Sequence, residues 1–182
     1  MKVFAGVIFA VFCMSTLQVQ NNIKPKLKKI KVSGTVTQTS SYCGGARPSN
    51  EMLASLTEPK PFAHKKLFIK RGKTNDMSKA AVAEVTTDSL GNFSIALPMG
   101  DYCIVDEMKS SKKNYDDILA KYGKETQYYS AVDAACLKEW FSKPDAVFTV
   151  GKEQVKNISV SYHHPCSWNG IPCVQYHGPL PP

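Results

Sequence analysis

The chain has no apolar run of the ~20 residues that a helix needs to cross a bilayer. Its amino-terminal run, Val3 to Met14, is only twelve residues long. It has no complete catalytic motif, and no two cysteines stand at the spacing of about two to four residues that marks a compact metal knuckle. Acid is scarce, with 15 Asp+Glu against 23 Lys+Arg, and among 182 residues there are 2 Trp and 4 His. These absences argue against a membrane-spanning protein and against a recognisable enzyme. With 43% hydrophobic and 21% charged residues, the chain is neither collagen-like nor too polar to build a core, and its length fits one domain.

What is present begins with the compartment. Met1-Lys2, the apolar run and the polar stretch Ser15 to Gln20 have the layout of a secretory signal peptide over residues 1–20. The expected location is therefore outside the cell or in the periplasm or envelope, with no transmembrane anchor after cleavage. Cys13 follows Ala10-Val11-Phe12, and the bulky Phe12 stands where lipid attachment requires a small residue, which argues against a lipoprotein. Cleavage removes Cys13 and leaves five cysteines, so disulfides are permitted and one thiol is left over or pairs with another molecule.

Residues 21–31 form a basic leader with Lys24, Lys26, Lys28, Lys29 and Lys31. No aromatics are interleaved, so it reads as a solvated linker and not as a nucleic-acid site. The domain proper spans 32–164. Short runs of alternating apolar residues, bounded by Gly, Pro, Asn or Asp, predict strands at 32–38, 67–70, 81–87, 92–97, 102–106, 146–150 and 155–162. Turns at Asp88 to Gly91 and Pro98 to Asp101 suggest a meander, and the whole set suggests a mainly β, seven-stranded antiparallel sandwich.

An insertion over 110–144 reads as helical. Asn114 is a candidate cap for a helix over Tyr115 to Tyr122 that stops at Gly123, and Ser130 with Asp133 forms a capping box for a second helix. There Val132, Cys136 and Trp140 recur at helical spacing, with Leu137 and Phe141 alongside, so this face should pack over an edge or end of the sandwich with Cys136 inward.

The run Thr86 to Tyr102 resembles the core of carboxypeptidase regulatory-like domains. Their pattern T-D-x-x-G-x-F then L-P-x-G-x-Y is matched by Thr87, Asp88, Gly91 and Phe93 and by Leu97, Pro98, Gly100 and Tyr102. The resemblance implies a prealbumin-like β-sandwich, similar to the collagen-adhesin B-type repeats, and a module without catalysis of its own. Some of those adhesin repeats carry a Lys–Asn isopeptide bond. Asn157 lies in the last strand but out of phase with its inward residues Ile158, Val160 and Tyr162, which argues against that cross-link.

The tail, 165–182, is rich in Cys and Pro. With the two preceding residues it holds three of the four histidines, two cysteines and five prolines. Cys43, Cys136, Cys166 and Cys173 are the disulfide candidates, and Cys103, inside a strand, is read as a buried apolar residue. Three connectivities are open. Bridges from Cys43 and Cys136 to the two tail cysteines are favoured, because they would close the longest loops. The alternative is a metal site of His163, His164, Cys166 and His177, imidazole and thiolate together suiting zinc or copper. Cys43, beside Gly44 and Gly45, is a weaker candidate nucleophile. Among the aromatics of the insertion and tail, Trp168 sits in a polar loop and is the candidate partner contact. Taken together, the sequence suggests a non-catalytic protein without a cofactor that binds a protein or polysaccharide, and not nucleic acid, at the cell surface.

Overall fold

The structure is a computed structural model that describes residues 27–179. The expected signal peptide with Cys13, the leader up to residue 26 and residues 180–182 lie outside the described residues. In chain order the elements are β1 (Lys29–Ser40), α1 (Asn50–Thr57), β2 (Lys60–Pro61), β3 (Lys66–Arg71), β4 (Ala83–Thr86), β5 (Asn92–Pro98), β6 (Gly100–Val105), α2 (Lys112–Tyr122), α3 (Ala134–Ser142), β7 (Ala146–Val150) and β8 (Val155–His164).

Two four-stranded sheets face each other. In the first, β1 has β5 and the two-residue β2 along one side and β8 along the other; the second runs β4-β3-β6-β7. Ile30, Val32, Val36, Phe93, Leu97 and Val160 from the first sheet meet Leu67, Ile69, Tyr102, Ile104 and Val150 from the second in one core. Burying each such side chain contributes roughly 1.5–3 kcal/mol before entropy is counted, and this fixes which strand face turns inward.

Three expectations are corrected. The described residues hold eight strands and not seven, because β2 is a short addition beside β1. The sandwich is not wholly antiparallel, since β8 runs parallel to β1. The two turns do not make a meander either. β5 pairs with β1 in the first sheet while β4 and β6 belong to the second, so each turn carries the chain from one sheet to the other.

The first corner is held by its own residues. The Asp88 Oδ1 accepts from Leu90 N at 2.9 Å and Asn92 N at 2.8 Å, and Gly91 has φ +75°. Val36 N of β1 then donates to Gly91 O at 2.8 Å, seating the turn on the first sheet. A Cβ on Gly91 would lie 2.5 Å from Val36 O, so this close approach requires glycine. The β1–β8 ladder contains a register shift between Val32 and Gly34, and Asn157, at φ +61°, absorbs it on the β8 side.

The helices differ from expectation in their caps. α2 begins at Lys112, and Asn114, inside it, donates through Nδ2 to Glu107 O and Met108 O. Asp133 caps α3 by accepting from Ala135 N and Cys136 N, and Ser130 does not. Leu137 and Phe141 are fully buried while Cys136 is exposed, so the inward stripe of α3 is rotated from the Val132–Cys136–Trp140 line.

The insertion and the segment 72–82 lie over the outer face of the second sheet rather than over an edge. Lys70, Cys103 and Val105, out of phase with the core residues of β3 and β6, are buried there at 1%, 0% and 0% exposure. Asn75 locks this third layer: its Nδ2 donates to Lys109 O at 2.8 Å and Phe141 O at 2.7 Å, and its backbone N to Ser142 O.

Candidate functional site

The end of β8 leads directly into the tail, and the tail is fastened twice. Cys166 is bonded to Cys43 in the segment after β1, and Cys173 to Cys136 at the start of α3. Cys103 is free and buried. Between and beyond the staples, backbone hydrogen bonds run from Asp133 N to Cys173 O, Ser130 N to Gln175 O and His177 N to Tyr128 O. The tail therefore lies antiparallel beside residues 128–133, with an isolated bridge pairing Tyr129 and Tyr176.

Three adjoining clefts lie along the first part of the tail, residues 165–172. The middle one, about 320 Å³, is lined by Asp106, Trp140, Pro165 and Asn169 among others. A second of about 230 Å³ adjoins it through Met108, Gly170 and Pro172 and is lined by Ile118 and Tyr122 of α2. A third of about 280 Å³ adjoins it through Pro165 and Asn169 and is lined by Tyr42 and Trp168. The three clefts thus share walls along the tail, and each has an aromatic residue in its lining.

Under the middle cleft lies a charged network. Lys109 Nζ is 2.8 Å from Asp145 Oδ1, donates to Lys143 O at 3.0 Å, and sits 4.5 Å from the Trp140 ring centroid. Asp145 Oδ2 accepts from Asp106 N at 2.8 Å and from the Tyr162 hydroxyl at 3.0 Å. The Asp106 carboxylate accepts from Lys109 N and pairs with Lys65 at 3.8 Å, while Lys65 Nζ lies 4.6 Å from the Tyr162 ring. Two carboxylates thus face two ammonium groups, so the network behind the Asp106 lining of the middle cleft is charge-balanced. Burial, then the Asp145 carboxylate, holds the Tyr162 phenol far above its ordinary range.

Along the tail and residues 122–129, aromatic rings form a ladder. Trp168 lies 6.4 Å from Tyr176, Tyr176 lies 5.2 Å from Tyr129, and Tyr129 lies 5.6 Å from Tyr122. Trp168 is half-buried, not freely exposed.

The four candidate metal ligands are not gathered into one site. His163 and His164 are successive on β8 and point to opposite faces. The His163 ring nitrogens meet Thr39 Oγ1 at 2.9 Å and Ser41 Oγ at 2.8 Å, whereas His164 Nε2 meets Gln38 Oε1 at 3.0 Å and its ring packs on Phe62. The Cys166 sulfur is spent in a disulfide, as is that of the candidate nucleophile Cys43. Among the described residues no three His, Cys, Asp or Glu side chains converge as metal ligands.

Sequence reasoning missed the charged network and the ladder. Lys109 and Asp145 are 36 residues apart with no motif around them. Trp140 is visible in the sequence, but as a packing residue of its helix.

No family model and no curated protein matches this chain. Three solved structures are similar at 14% identity. A Pseudomonas aeruginosa protein provisionally described as carbohydrate binding has a TM-score of 0.36, with 74% of this chain and 89% of that one covered. A DUF3823 family protein from Parabacteroides merdae has a TM-score of 0.32 over 74% of this chain and 46% of its own. The minor pilin of Streptococcus agalactiae has 0.34 over 86% and 48%. Likenesses at this level give the chain neither a family nor an activity. No helix among the described residues is long and apolar enough to cross a membrane.

Proposed function

We propose that this chain is an exported, non-catalytic binding protein, a prealbumin-like sandwich whose stapled tail builds a groove for a polysaccharide at the cell surface. The observation that carries the reading is the continuity of the three clefts along the tail, with Trp168, Trp140 and Tyr122 lining one each. Aromatic rings offer sugar rings a flat apolar face, and the Asn169 amide and the Ser41 hydroxyl offer hydrogen bonds beside it. Because the charges behind the middle cleft are paired, the fitting glycan is uncharged. Two disulfides hold the walls in place before a ligand arrives, which reduces the ordering cost of binding. They also suit an oxidising compartment, in keeping with the signal pattern at residues 1–20.

The test is titration calorimetry against a panel of neutral and acidic polysaccharides, with Trp140→Ala and Trp168→Ala beside the parent chain. Expected is saturable binding of a neutral glycan, weakened about tenfold by each substitution, near the upper end of what one aromatic contact supplies. Binding to acidic polymers alone, unaffected by either substitution, would place the ligand elsewhere. Trp168-dependent capture of a surface protein with no glycan bound would replace the polysaccharide by a protein partner.

A further inference from the structure

Lys70 and Cys103 are directly opposed register partners on β3 and β6. In an antiparallel pair such residues have Cβ atoms about 4.5–5.5 Å apart on one face of the sheet. Here that face is the covered one, and the two residues are 1% and 0% exposed. Their reactive ends converge on one short piece of backbone. Lys70 Nζ donates to Asp76 O at 3.0 Å, and Cys103 Sγ donates to Thr74 O at 3.6 Å, two residues earlier in the same loop.

The chemistry of the two groups is unusual for their surroundings. An ammonium has three protons to place, yet the Asp76 carbonyl is the one hydrogen-bond acceptor found for Lys70, and it is in no ion pair among the described residues. Burial lowers the Lys70 pKa, which favours the neutral, nucleophilic amine, although Cys103 and Asp76 pull the other way. Burial likewise raises the Cys103 thiol, with Lys70 opposing. Every other described cysteine is already oxidised.

We propose that Lys70 and Cys103 become joined through a single oxygen atom, Nζ–O–Sγ, with dioxygen as the oxidant. The S–H bond and one N–H bond break while N–O and O–S bonds form. One atom of dioxygen stays in the bridge, and the other leaves as water with the two hydrogens. Sulfur and nitrogen each give up two electrons, which together supply the four that dioxygen accepts. The bridge fastens β3 to β6 beneath segment 72–82 and removes the ammonium charge from a site that solvates it poorly. It does not depend on the groove or its ligand.

The experiment is intact-mass and peptide mass analysis of the full chain purified in air without reductant. The expected result is a gain of about 14 Da, one oxygen added and two hydrogens lost, over the chain with two disulfides and a free thiol. It should map to a linked pair of peptides carrying Lys70 and Cys103, and strong reductant should return both side chains. In Lys70→Arg the link should vanish and Cys103 should be alkylated after denaturation. Stoichiometric alkylation of Cys103 in the denatured, aerated parent chain would overturn the proposal. So would a Cys103 sulfenic or sulfinic acid with Lys70 unmodified.

Discussion

Lys109 and Asp145 meet at 2.8 Å beneath the groove, with side chains only 10% and 11% exposed. Each anchors a different wall. Lys109 lies in the 3-10 turn Met108–Ser110 that leads into α2, and Asp145 immediately precedes β7. Asp145 also receives the Asp106 amide and the Tyr162 hydroxyl, so one carboxylate ties together the ends of β6 and β8 and the start of β7.

Removing both members of this pair should cost less than the sum of removing each alone. Asp145→Asn removes the counter-charge of the nearly buried Lys109 ammonium and leaves a single side-chain oxygen for three donors, Lys109 Nζ, Asp106 N and the Tyr162 hydroxyl. A loss of about 3–5 kcal/mol is expected in urea unfolding. Lys109→Met with Asp145→Asn should lose clearly less than the two single changes added together. A strictly additive result would show that the pair is solvated and not a buried unit.

Tyr162 makes stability depend on alkaline pH. Its phenol pKa is raised in the fold, so the native state favours the protonated form while the unfolded chain ionises near its ordinary value of about 10. The contribution is fully present below that pH and is lost as pH rises above it, by up to about 1.4 kcal/mol per unit. Tyr162→Phe should flatten the fall in stability between about pH 10 and 11.5 relative to the parent chain. In spectrophotometric titration the phenolate signal that Tyr162→Phe removes should appear in the parent chain only on unfolding. Equal slopes for the two proteins would contradict this account.

Gly34 has no room for a side chain. A Cβ there would stand 2.2 Å from Ile158 O and 2.8 Å from the Phe93 ring, where the β1–β8 ladder shifts register over the core. Gly34→Ala should therefore cost about 3 kcal/mol or more, since backbone and a buried ring must both move. Gly151→Ala meets nothing within 4 Å and serves as the control, with a change within about 0.5 kcal/mol. Thermal unfolding of the two variants decides the point.

Most of the strands were legible because they bury alternate residues, although β3 and β6, covered on both faces, also bury Lys70, Cys103 and Val105. Ile30, Val32 and Val36, or Phe93 and Leu97, announce an inward face without any tertiary information. Which strands become neighbours was not legible. A turn such as Asp88 to Gly91 has the same local chemistry whether it closes a hairpin or a corner, and the choice was made by Val36 N reaching Gly91 O. α1 escaped notice because it is short and buries none of its residues, its Met52 and Leu53 standing exposed. The phase of α3 was misread for the opposite reason. Cys136 looks like a core residue until its partner, Cys173, is seen to approach from the exposed side. The site suffers most from this limit, because its walls are set by contacts between Asp106, Lys109, Asp145 and Tyr162, which no local pattern connects.

The staple between Cys43 and Cys166 closes 123 residues of chain, nearly the whole sandwich. Replacing both cysteines by Ser avoids a stray thiol and isolates the cross-link itself. The loss should be about 2–4 kcal/mol, mostly from the greater freedom of the unfolded chain. The groove should respond locally as well. Cys166 is 7% exposed and fixes the point at which the tail leaves β8, two residues before Trp168. Without it, Trp168 should separate from Tyr176, and its fluorescence should become more accessible to a neutral quencher under conditions where the far-UV spectrum is unchanged. Replacing Cys136 and Cys173 instead frees the tail beyond Trp168 and closes a loop of only 37 residues in the parent, so its stability loss should be smaller. If both double variants lost the same stability and left Trp168 equally shielded, the tail would be held by its hydrogen bonds to residues 128–133, and the disulfides would not be what shapes the groove.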